Sequence, residues 1–224
     1  MKVIAAQPKL VMQVHDALVS EIAQGNLKPG ERIVQEQIAQ LLGVSRQPVQ
    51  QALLLLRNQG VLQDAAGRGL IVAAMEPDHV RNMYDVRAVM EGLAFRRAAE
   101  LNAACSRKLG PMLIRKGHSA VASGSVAEMI AADLEFHHLI HDLSRNPLIA
   151  PTMQTQWIYM QRVMGEVLMR DGTSHEIWAQ HEVMLQAVMD GDGDAAESLA
   201  RQHVVQAAAL VIKRLHSDAA AMRA

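Results

Sequence analysis

The sequence predicts a mainly α-helical protein, in which an N-terminal winged helix-turn-helix precedes an all-α helical bundle. Half of the 224 residues are apolar and only 3% are aromatic. Ala and the straight-chain residues Leu, Met and Gln are frequent, and they favour helices because they lose little side-chain freedom there. Strand-like segments are confined to residues 61–73, whereas the pattern beyond residue 76 is helical.

Two helices are predicted at the start of the chain. Apolar residues recur at helical spacing over residues 10–22, and the glycine and proline of "GNLKPG" end that pattern. A second helix is predicted over residues 34–42, with Ile38, Leu41 and Leu42 buried. This helix is expected to break at Gly43.

A third helix is predicted in the segment "GVSRQPVQQALLLLRNQG". Ser45 is expected to accept a hydrogen bond at its N-terminus, and Pro48 falls in the first turn, where a missing N–H costs little. Its inward-facing residues are predicted to be Val49, Leu53 and Leu56. A helix, a short glycine turn and a capped helix together indicate a helix-turn-helix. Residues 61–63 and 70–73 are predicted to be two strands that form a wing.

This arrangement predicts contact with double-stranded DNA. The first residues of the third helix would enter the major groove and reach base edges, while other basic residues would contact phosphates. The full predicted set is Arg32, Ser45, Arg46, Gln47, Gln50, Arg57, Arg68 and Gly69. A winged helix that makes only protein contacts stays an open alternative, because residues 1–75 hold 7 Lys and Arg against 5 Asp and Glu.

The segments "LKPGERI", "IAQLLGVSRQPVQQAL", "GVL" and "GRGLIV" resemble the DNA-binding domain of GntR-family transcriptional regulators. The usual family text near the recognition helix is VSRTPVREAL. Gln50 stands where the family usually carries an arginine that contacts DNA, and Gln51 replaces a glutamate. The resemblance implies operator binding, with weaker affinity than is usual for the family.

The segment "AMEPDH" is the predicted boundary between a DNA-binding domain, residues 1–75, and a second domain, residues 76–224, because Pro77 suits the first turn of a new helix. Gly110 and Pro111 predict a kink or a late start within the second domain's second helix. Six helices are predicted there, at approximately residues 77–102, 106–123, 125–144, 147–170, 174–190 and 193–217. Capping boxes are predicted at Ser125 with Glu128, Thr173 with Glu176, and Asp194 with Glu197.

Four residues of this second domain form a candidate metal site. His181 and His203 lie at equal distances on either side of the turn "GDG", so an antiparallel helix hairpin would bring them to the same height. Asp133 and His137 lie one helical turn apart on another helix. Three imidazoles and one carboxylate from three helices can converge inside a bundle. For each histidine, the alternative is a hydrogen-bonded core residue.

The segments "YDVRAVMEGLAFRRAA", "DLEFHHLIHDLSRNP", "QHEVMLQAVMDGD" and "ARQHV" resemble the FCD domain, the helical effector domain of FadR-type GntR regulators. The resemblance implies that residues 76–224 bind an effector and dimerise. In metal-binding members, the matching ligand positions correspond here to Asp133, His137, His181 and His203. Gln180 stands where the family often has glutamate.

Arg87 is a candidate effector-binding residue, because it falls on the inward-facing side of its predicted helix and a buried guanidinium needs an anionic partner. That partner is either Glu91, four residues later, or the carboxylate of an effector that also contacts the metal, as the resemblance implies. Asn146 and Arg162 are further candidates for the effector pocket. His138 is predicted to face away from the site, and His141 to lie beside it or in solvent.

These features predict a metabolite-responsive DNA-binding regulator, with repression as the expected mode. Three histidines and an aspartate without a thiolate suit Zn²⁺, Ni²⁺, Mn²⁺ or Fe²⁺. The expected partners are a palindromic DNA operator, a small organic acid and a second copy of the chain. The alternatives are a metal-dependent enzyme acting on a small carboxylate, which we do not expect, and a regulator that responds to the metal itself.

The sequence also predicts a cytoplasmic location. Its single cysteine, Cys105, cannot form an internal disulfide, and "MKVIAAQPKL" lacks the apolar core of an export signal. No stretch approaches the roughly 20 apolar residues of a spanning helix, so we expect no membrane association.

Overall fold

The computed structural model describes residues 8–168 and 173–221. The chain divides into two compact units. The first comprises the residues up to Ala74 together with Ile158–Arg162, and the second comprises Met75–Trp157 and the chain from Val163 onward.

The first unit contains three helices and a small sheet. The elements are α1 (Pro8–Ala23), β1 (Arg32–Ile33), α2 (Gln35–Leu42), α3 (Arg46–Asn58), β2 (Leu62–Asp64) and β3 (Leu70–Val72). The predicted helices and the two predicted strands are confirmed. The strand β1 was not predicted, because two residues are too few to show an alternating pattern. It adds to the wing, giving an antiparallel sheet in the order β1-β3-β2.

The core of this unit lies between α1, α3 and the sheet. Val49 and Leu56 of α3 are fully buried, and Leu53 is buried as predicted. They pack in one cluster with Val14 of α1 and Val72 of β3. The apolar stripe of α3 therefore fixes the recognition helix on its scaffold while its opposite face stays exposed.

The predicted burial of α2 is wrong at two positions. Leu41 is 81% exposed and Leu42 is 40% exposed, while Ala39 is buried. The helix is only two turns long and Gly43 ends it with a left-handed φ of +64°, so only a narrow face reaches the core. Ser45 directly precedes α3, but its side chain accepts no capping bond, which also corrects the prediction.

The second unit is helical throughout its described residues. Its elements are α4 (Pro77–Ser123), α5 (Val126–Leu143), α6 (Ile149–Leu168), α7 (Ser174–Asp190) and α8 (Gly193–Ala221). α4 packs against α5, α7 and α8. The predicted end of α6 at residue 170 lies outside the described residues. Nowhere in residues 8–168 and 173–221 does a helix combine the length and apolar character needed to cross a membrane.

The first two helices predicted for this unit, residues 77–102 and 106–123, together form α4, which has a kink at Asn102. Asn102 leaves helical geometry, with φ −140° and ψ 28°, and its Nδ2 donates a hydrogen bond to the carbonyl of Leu143 at 2.6 Å. The predicted break after residue 102 is therefore confirmed, but the kink or late start expected at Gly110 and Pro111 is wrong. Gly110 instead allows close packing, because a Cβ there would lie 2.6 Å from Leu185.

The helix ends follow the predicted capping boxes in one case of three. Ser125 Oγ accepts a hydrogen bond from the amide of Glu128 at 3.3 Å. Thr173 makes no side-chain capping bond. At the start of α8, Asp192 rather than Asp194 accepts the bond, from the amide of Ala195 at 2.9 Å. The predicted cap is wrong because α8 already begins at Gly193, so Asp194 lies inside its first turn.

Candidate metal centre

The hairpin of α7 and α8 brings two histidines together. Gly191 ends α7 with a φ of +79°, a left-handed conformation that glycine adopts without strain. His181 and His203 then face each other across the hairpin, with their Nε2 atoms 3.3 Å apart. Gln180 Oε1 lies 2.7 Å from His203 Nδ1. That contact makes Nδ1 the donor and leaves Nε2 available to a metal.

α5 adds the other two predicted ligands to this point. Asp133 Oδ1 lies 3.4 Å from His181 Nε2, and Asp133 Oδ2 lies 3.9 Å from His137 Nε2. The three imidazoles each offer one nitrogen, and these nitrogens lie within 4.8 Å of one another. All four side chains are buried. The structure thus gathers Asp133, His137, His181 and His203, as the sequence predicts.

This geometry fits a divalent metal ion. Two ligand atoms about 2.1 Å from one ion, at tetrahedral or octahedral angles, are roughly 3.0 to 3.4 Å apart. The His181–His203 and His181–Asp133 separations of 3.3 and 3.4 Å match that spacing. Asp133 Oδ2 is buried without a hydrogen-bond partner, a costly state that a bound cation would relieve. Nitrogen and oxygen donors without thiolate suit a borderline or hard divalent ion.

Burial controls the protonation of these side chains. It lowers the pKa of His203 to about 3, with the charge of His137 as the next cause. Burial, followed by the charge of His203, also holds the pKa of His181 well below its usual value. Both imidazoles are therefore neutral at pH 7, which is the form that binds metal. Burial raises the pKa of Asp133, although His137 opposes this shift, and a cation would favour the ionised carboxylate.

Glu91 of α4 lies behind the predicted ligands and is completely buried. One of its oxygens, Oε2, lies 3.1 Å from His137 Nδ1 and 3.2 Å from His141 Nε2. Burial by itself would raise the pKa of Glu91, but His137 and His141 outweigh it and hold that pKa well below its usual value. A carboxylate in contact with one ring nitrogen orients the other toward a metal. Glu91 therefore aims His137 Nε2 at Asp133.

Arg87 lies one turn before Glu91 and is also buried. Its Nε is 3.6 Å from Glu91 Oε1, an ion pair without a hydrogen bond. A second guanidinium nitrogen lies 3.5 Å from His137 Nε2, and the group sits 5.2 Å from the ring centroid of Trp157. The internal pairing with Glu91 is thus present, and the donors it leaves unused can take an incoming anion.

A cavity of about 250 Å³ opens beside this cluster. Arg87, Asp133 and His203 line it, together with Tyr84 and Trp178. Its size lies just below the range of about 300 to 1,000 Å³ that is usual for small-molecule sites. The cavity therefore suits a small ligand whose anionic group meets Arg87 and the candidate metal centre.

The remaining predicted pocket residues lie elsewhere. Asn146 is in the turn between α5 and α6, where its Oδ1 accepts a bond from the amide of Leu148 at 3.1 Å. Arg162 donates a hydrogen bond to the carbonyl of Ala73. Neither is among the described residues that line the cavity. His138 is exposed, as predicted, whereas His141 is buried against Glu91.

The predicted DNA-contacting residues of α3 share an exposed face. Ser45, Arg46, Gln47 and Gln50 are all exposed around its first turn. The Arg46 guanidinium forms an ion pair with Glu36 of α2. That pair holds the arginine beside the helix N-terminus, and both side chains remain accessible.

The tip of the wing is fixed by a contact from β1 to the turn between β2 and β3. Arg32 donates a hydrogen bond to the carbonyl of Arg68 at 2.6 Å. Gly69 has a φ of +101°, and a Cβ there would lie 3.5 Å from the Arg32 guanidinium. Arg57 lies 3.4 Å from Asp64. The contact from Arg32 therefore sets the shape of the wing tip and leaves the Arg68 side chain exposed.

A winged helix-turn-helix joined to an all-helical unit with a ligand-sized cavity defines a class of transcriptional regulators. The chain belongs to the GntR family of bacterial regulatory proteins. Residues 10–72 match the family "Bacterial regulatory proteins, gntR family", and residues 82–206 match the FCD domain. The protein is therefore a DNA-binding transcriptional regulator with an FCD effector domain. Its assignment as a regulator rather than an enzyme is confirmed.

Similar proteins agree with this membership. The HTH-type transcriptional regulator YdhC of Bacillus subtilis is 25% identical over 87% of this chain and 85% of its own length. The HTH-type transcriptional repressor RspR of Escherichia coli is 24% identical over 92% of this chain and 91% of its own length. The solved structure of E. coli McbR/YncC shares the fold, with a TM-score of 0.79 at 21% identity and coverage of 94% of this chain and 99% of that one.

Two features of the site were missed from the sequence. Glu91 was considered only as a partner of Arg87, whereas it also contacts His137 and His141. The repeated four-residue spacing from His137 to His141 was the available signal. The aromatic packing of His181, stacked 4.5 Å from Phe136 and edge-on 4.8 Å from Trp178, left no periodic signal in the sequence.

Proposed function

We propose that this regulator senses a small organic acid at a metal-containing site in its FCD domain. Without the acid it binds DNA and represses transcription, and binding of the acid releases it from DNA. The observation that carries the proposal is the convergence of Asp133, His137, His181 and His203 on one point beside a cavity that Arg87 also lines. The repressor mode is supported by its similarity to RspR, which is named as a repressor.

The four converging side chains would hold the metal ion. A bound divalent ion supplies open coordination positions that accept carboxylate oxygens. Arg87 would bind the same carboxylate through its planar guanidinium, which matches two carboxylate oxygens. Glu91 and Gln180 would keep His137 and His203 turned toward the ion through their ring Nδ1 atoms. Most of the surrounding wall is apolar, which lowers the local dielectric constant and so strengthens these contacts.

The DNA-binding residues support recognition of a palindromic operator. Arg46, Gln47 and Gln50 would read base edges, and Arg32, Arg57 and Arg68 would contact phosphates. Two copies of the chain would address half-sites about one helical turn apart. An effector would change operator affinity only to the extent that it binds the DNA-free and DNA-bound arrangements with different affinity. We propose that the protein acts in the cytoplasm, where bacterial DNA lies.

A homodimer is supported by an exposed apolar face on α4. Val86, Val89 and Leu93 follow helical spacing and are 49%, 52% and 38% exposed. Val89→Glu is expected to convert the dimer to monomers in light scattering. Ser119→Glu adds the same charge at another exposed position of α4 and should leave the mass unchanged. A Val89→Glu protein that stays dimeric would move the interface away from this face.

The test of the proposed function is fluorescence anisotropy with the promoter DNA of the protein's own gene. Zn²⁺-loaded protein should bind at low salt, lose affinity as salt rises, and release the DNA when a mixture of small carboxylates is added. Arg87→Met should bind DNA and fail to respond to the mixture. DNA binding that ignores every carboxylate would contradict the sensing role.

A second candidate function is a response to the metal ion itself, because all four donors of the candidate site come from this chain. DNA affinity measured with and without Zn²⁺, at constant organic acid, separates the two. A large effect of Zn²⁺ together with no effect of acid would favour metal sensing.

A further inference from the structure

The cavity beside the candidate metal centre has a polar end and an apolar end. Arg87, Asp133 and His203 line the polar end, and His181 Nε2 lies 3.3 Å from His203 Nε2. From there, the lining residues follow both helices of the hairpin away from its Gly191 turn. Leu210 lies roughly 10 Å beyond His203 along α8, and Ile177 lies roughly 6 Å before His181 along α7, at 1.5 Å per residue. A ligand anchored at the histidines therefore extends in one direction, between these two helices.

The far part of the cavity is lined mainly by hydrocarbon. The Gln180 amide is already engaged, because its Nε2 donates to Gln206 Oε1 at 3.0 Å and its Oε1 contacts His203 Nδ1 at 2.7 Å. Gln206 adds one uncharged amide. Thr173 Oγ1 is buried without a hydrogen-bond partner and can donate one hydrogen bond, but it carries no charge that would balance a carboxylate. The apolar lining residues are Met129, Met164, Ile177, Ala207 and Leu210.

The charges of the site balance one carboxylate. Among the described lining residues, Arg87 is the only arginine or lysine. At the polar end, a divalent ion and Arg87 supply three positive charges, while Asp133 and Glu91 supply two negative charges, so one positive charge remains there. A single carboxylate cancels it. A second carboxylate further along the cavity would meet the like charge of Glu176 and apolar side chains in place of a cation, and a like charge nearby disfavours a second negative charge there.

Resting on the proposed function, we infer that the effector is a small monocarboxylate with an uncharged, largely apolar body, rather than a di- or tricarboxylate. Its carboxylate binds at Arg87 and the metal ion, and its body extends toward Leu210 and Ile177. The volume of about 250 Å³ equals that of roughly eight water molecules in the liquid. This space suits an acid of about the size of hexanoate.

The test is calorimetric titration of the Zn²⁺-loaded full chain at pH 7 with hexanoate, adipate and acetate. Hexanoate and adipate have the same chain length and differ in the second carboxylate, whereas acetate lacks the body. Hexanoate is expected to bind at least about tenfold more tightly than either. The inference would be overturned if adipate or acetate bound as tightly as hexanoate. It would also be overturned if hexanoate did not bind.

A pair of variants tests the reason for the preference. Glu176→Gln should strengthen adipate binding several-fold and leave hexanoate binding unchanged, because it removes the negative charge that a second carboxylate meets. Glu182→Gln, exposed on the same helix and outside the cavity lining, should change neither. If the ratio of adipate affinity to hexanoate affinity were the same in Glu176→Gln as in the unchanged protein, the charge argument would be contradicted. These titrations need no DNA. A negative result in them therefore does not contradict operator binding, and a failure to bind the operator does not contradict the preference for a monocarboxylate.

Discussion

Glu91 is the residue on which the buried polar groups of the second unit converge. Its carboxylate lies within 3.6 Å of nitrogens from Arg87, His137 and His141. An ionised carboxylate in the protein interior is stable only with such partners. The same contacts connect the predicted anion-binding arginine with a predicted metal ligand, so replacement of Glu91 should affect the metal before it affects the fold.

Glu91→Gln is predicted to lower the affinity for Zn²⁺ about 10- to 100-fold, which is the usual cost of removing a carboxylate behind a metal-binding histidine. The neutral amide keeps the shape but can no longer fix His137 by charge. Competition with a chromophoric chelator measures the change. Glu100→Gln, on the same helix but half exposed, is the control. Equal zinc affinities in the two variants would show that Glu91 does not position His137.

Arg87→Lys is predicted to weaken binding of hexanoate about tenfold and to leave Zn²⁺ affinity within a few-fold of the unchanged protein. Lysine keeps the charge but loses the planar pair of donors that matches a carboxylate. Calorimetry with the zinc-loaded variant gives the first value and chelator competition gives the second. An equal loss of affinity for hexanoate and for Zn²⁺ would mean that Arg87 acts on the metal ligands instead of on the acid.

At the scale of elements, close packing of α4 against α7 holds His181 in place. Trp178 packs edge-on against His181 at 4.8 Å between ring centroids, and it lies over Gly117 of α4. A Cβ at Gly117 would fall 2.2 Å from the Trp178 ring. Glycine is needed here for close approach of two helices, since a rigid indole cannot move aside as a flexible chain end can.

Gly117→Ala is therefore predicted to destabilise the fold by about 1 to 3 kcal/mol, the usual effect of overpacking a core. It should also weaken zinc binding, because Trp178 and His181 would shift together. Urea denaturation measures the stability. Gly67→Ala, where a Cβ would meet nothing within 4 Å, is the control for an added methyl group. A stable Gly117→Ala protein would place the two helices further apart.

The elements were largely predictable because their signals are local. Helical periodicity located α1, α3 and the helices of the second unit, and equal spacing about one turn paired His181 with His203. Local patterns failed where the partner decides the outcome. Leu41 is exposed because only a narrow face of α2 reaches the core. The role of Glu91 depends on His137 and His141, which α5 brings next to α4. Gly110 was interpreted as a helix breaker because its partner, Leu185, lies on a distant helix.

At the scale of the whole molecule, a metal ion would join three helices that are distant in sequence. Asp133 and His137 come from α5, His181 from α7 and His203 from α8. Without the ion, buried donor atoms such as Asp133 Oδ2 have no partner. An ion that binds the folded chain and not the unfolded chain stabilises the fold by mass action.

Zn²⁺ at 100 times its Kd is therefore predicted to raise the free energy of unfolding by about 2.7 kcal/mol. Unfolding in urea, followed by circular dichroism with and without a chelator, measures the difference. His203→Ala should abolish most of this gain because it removes one of four donors. His216→Ala, an exposed histidine later in the same helix, should retain the full gain and so control for nonspecific zinc binding. Equal stabilisation of both variants would place the ion elsewhere on the chain and would contradict the metal centre.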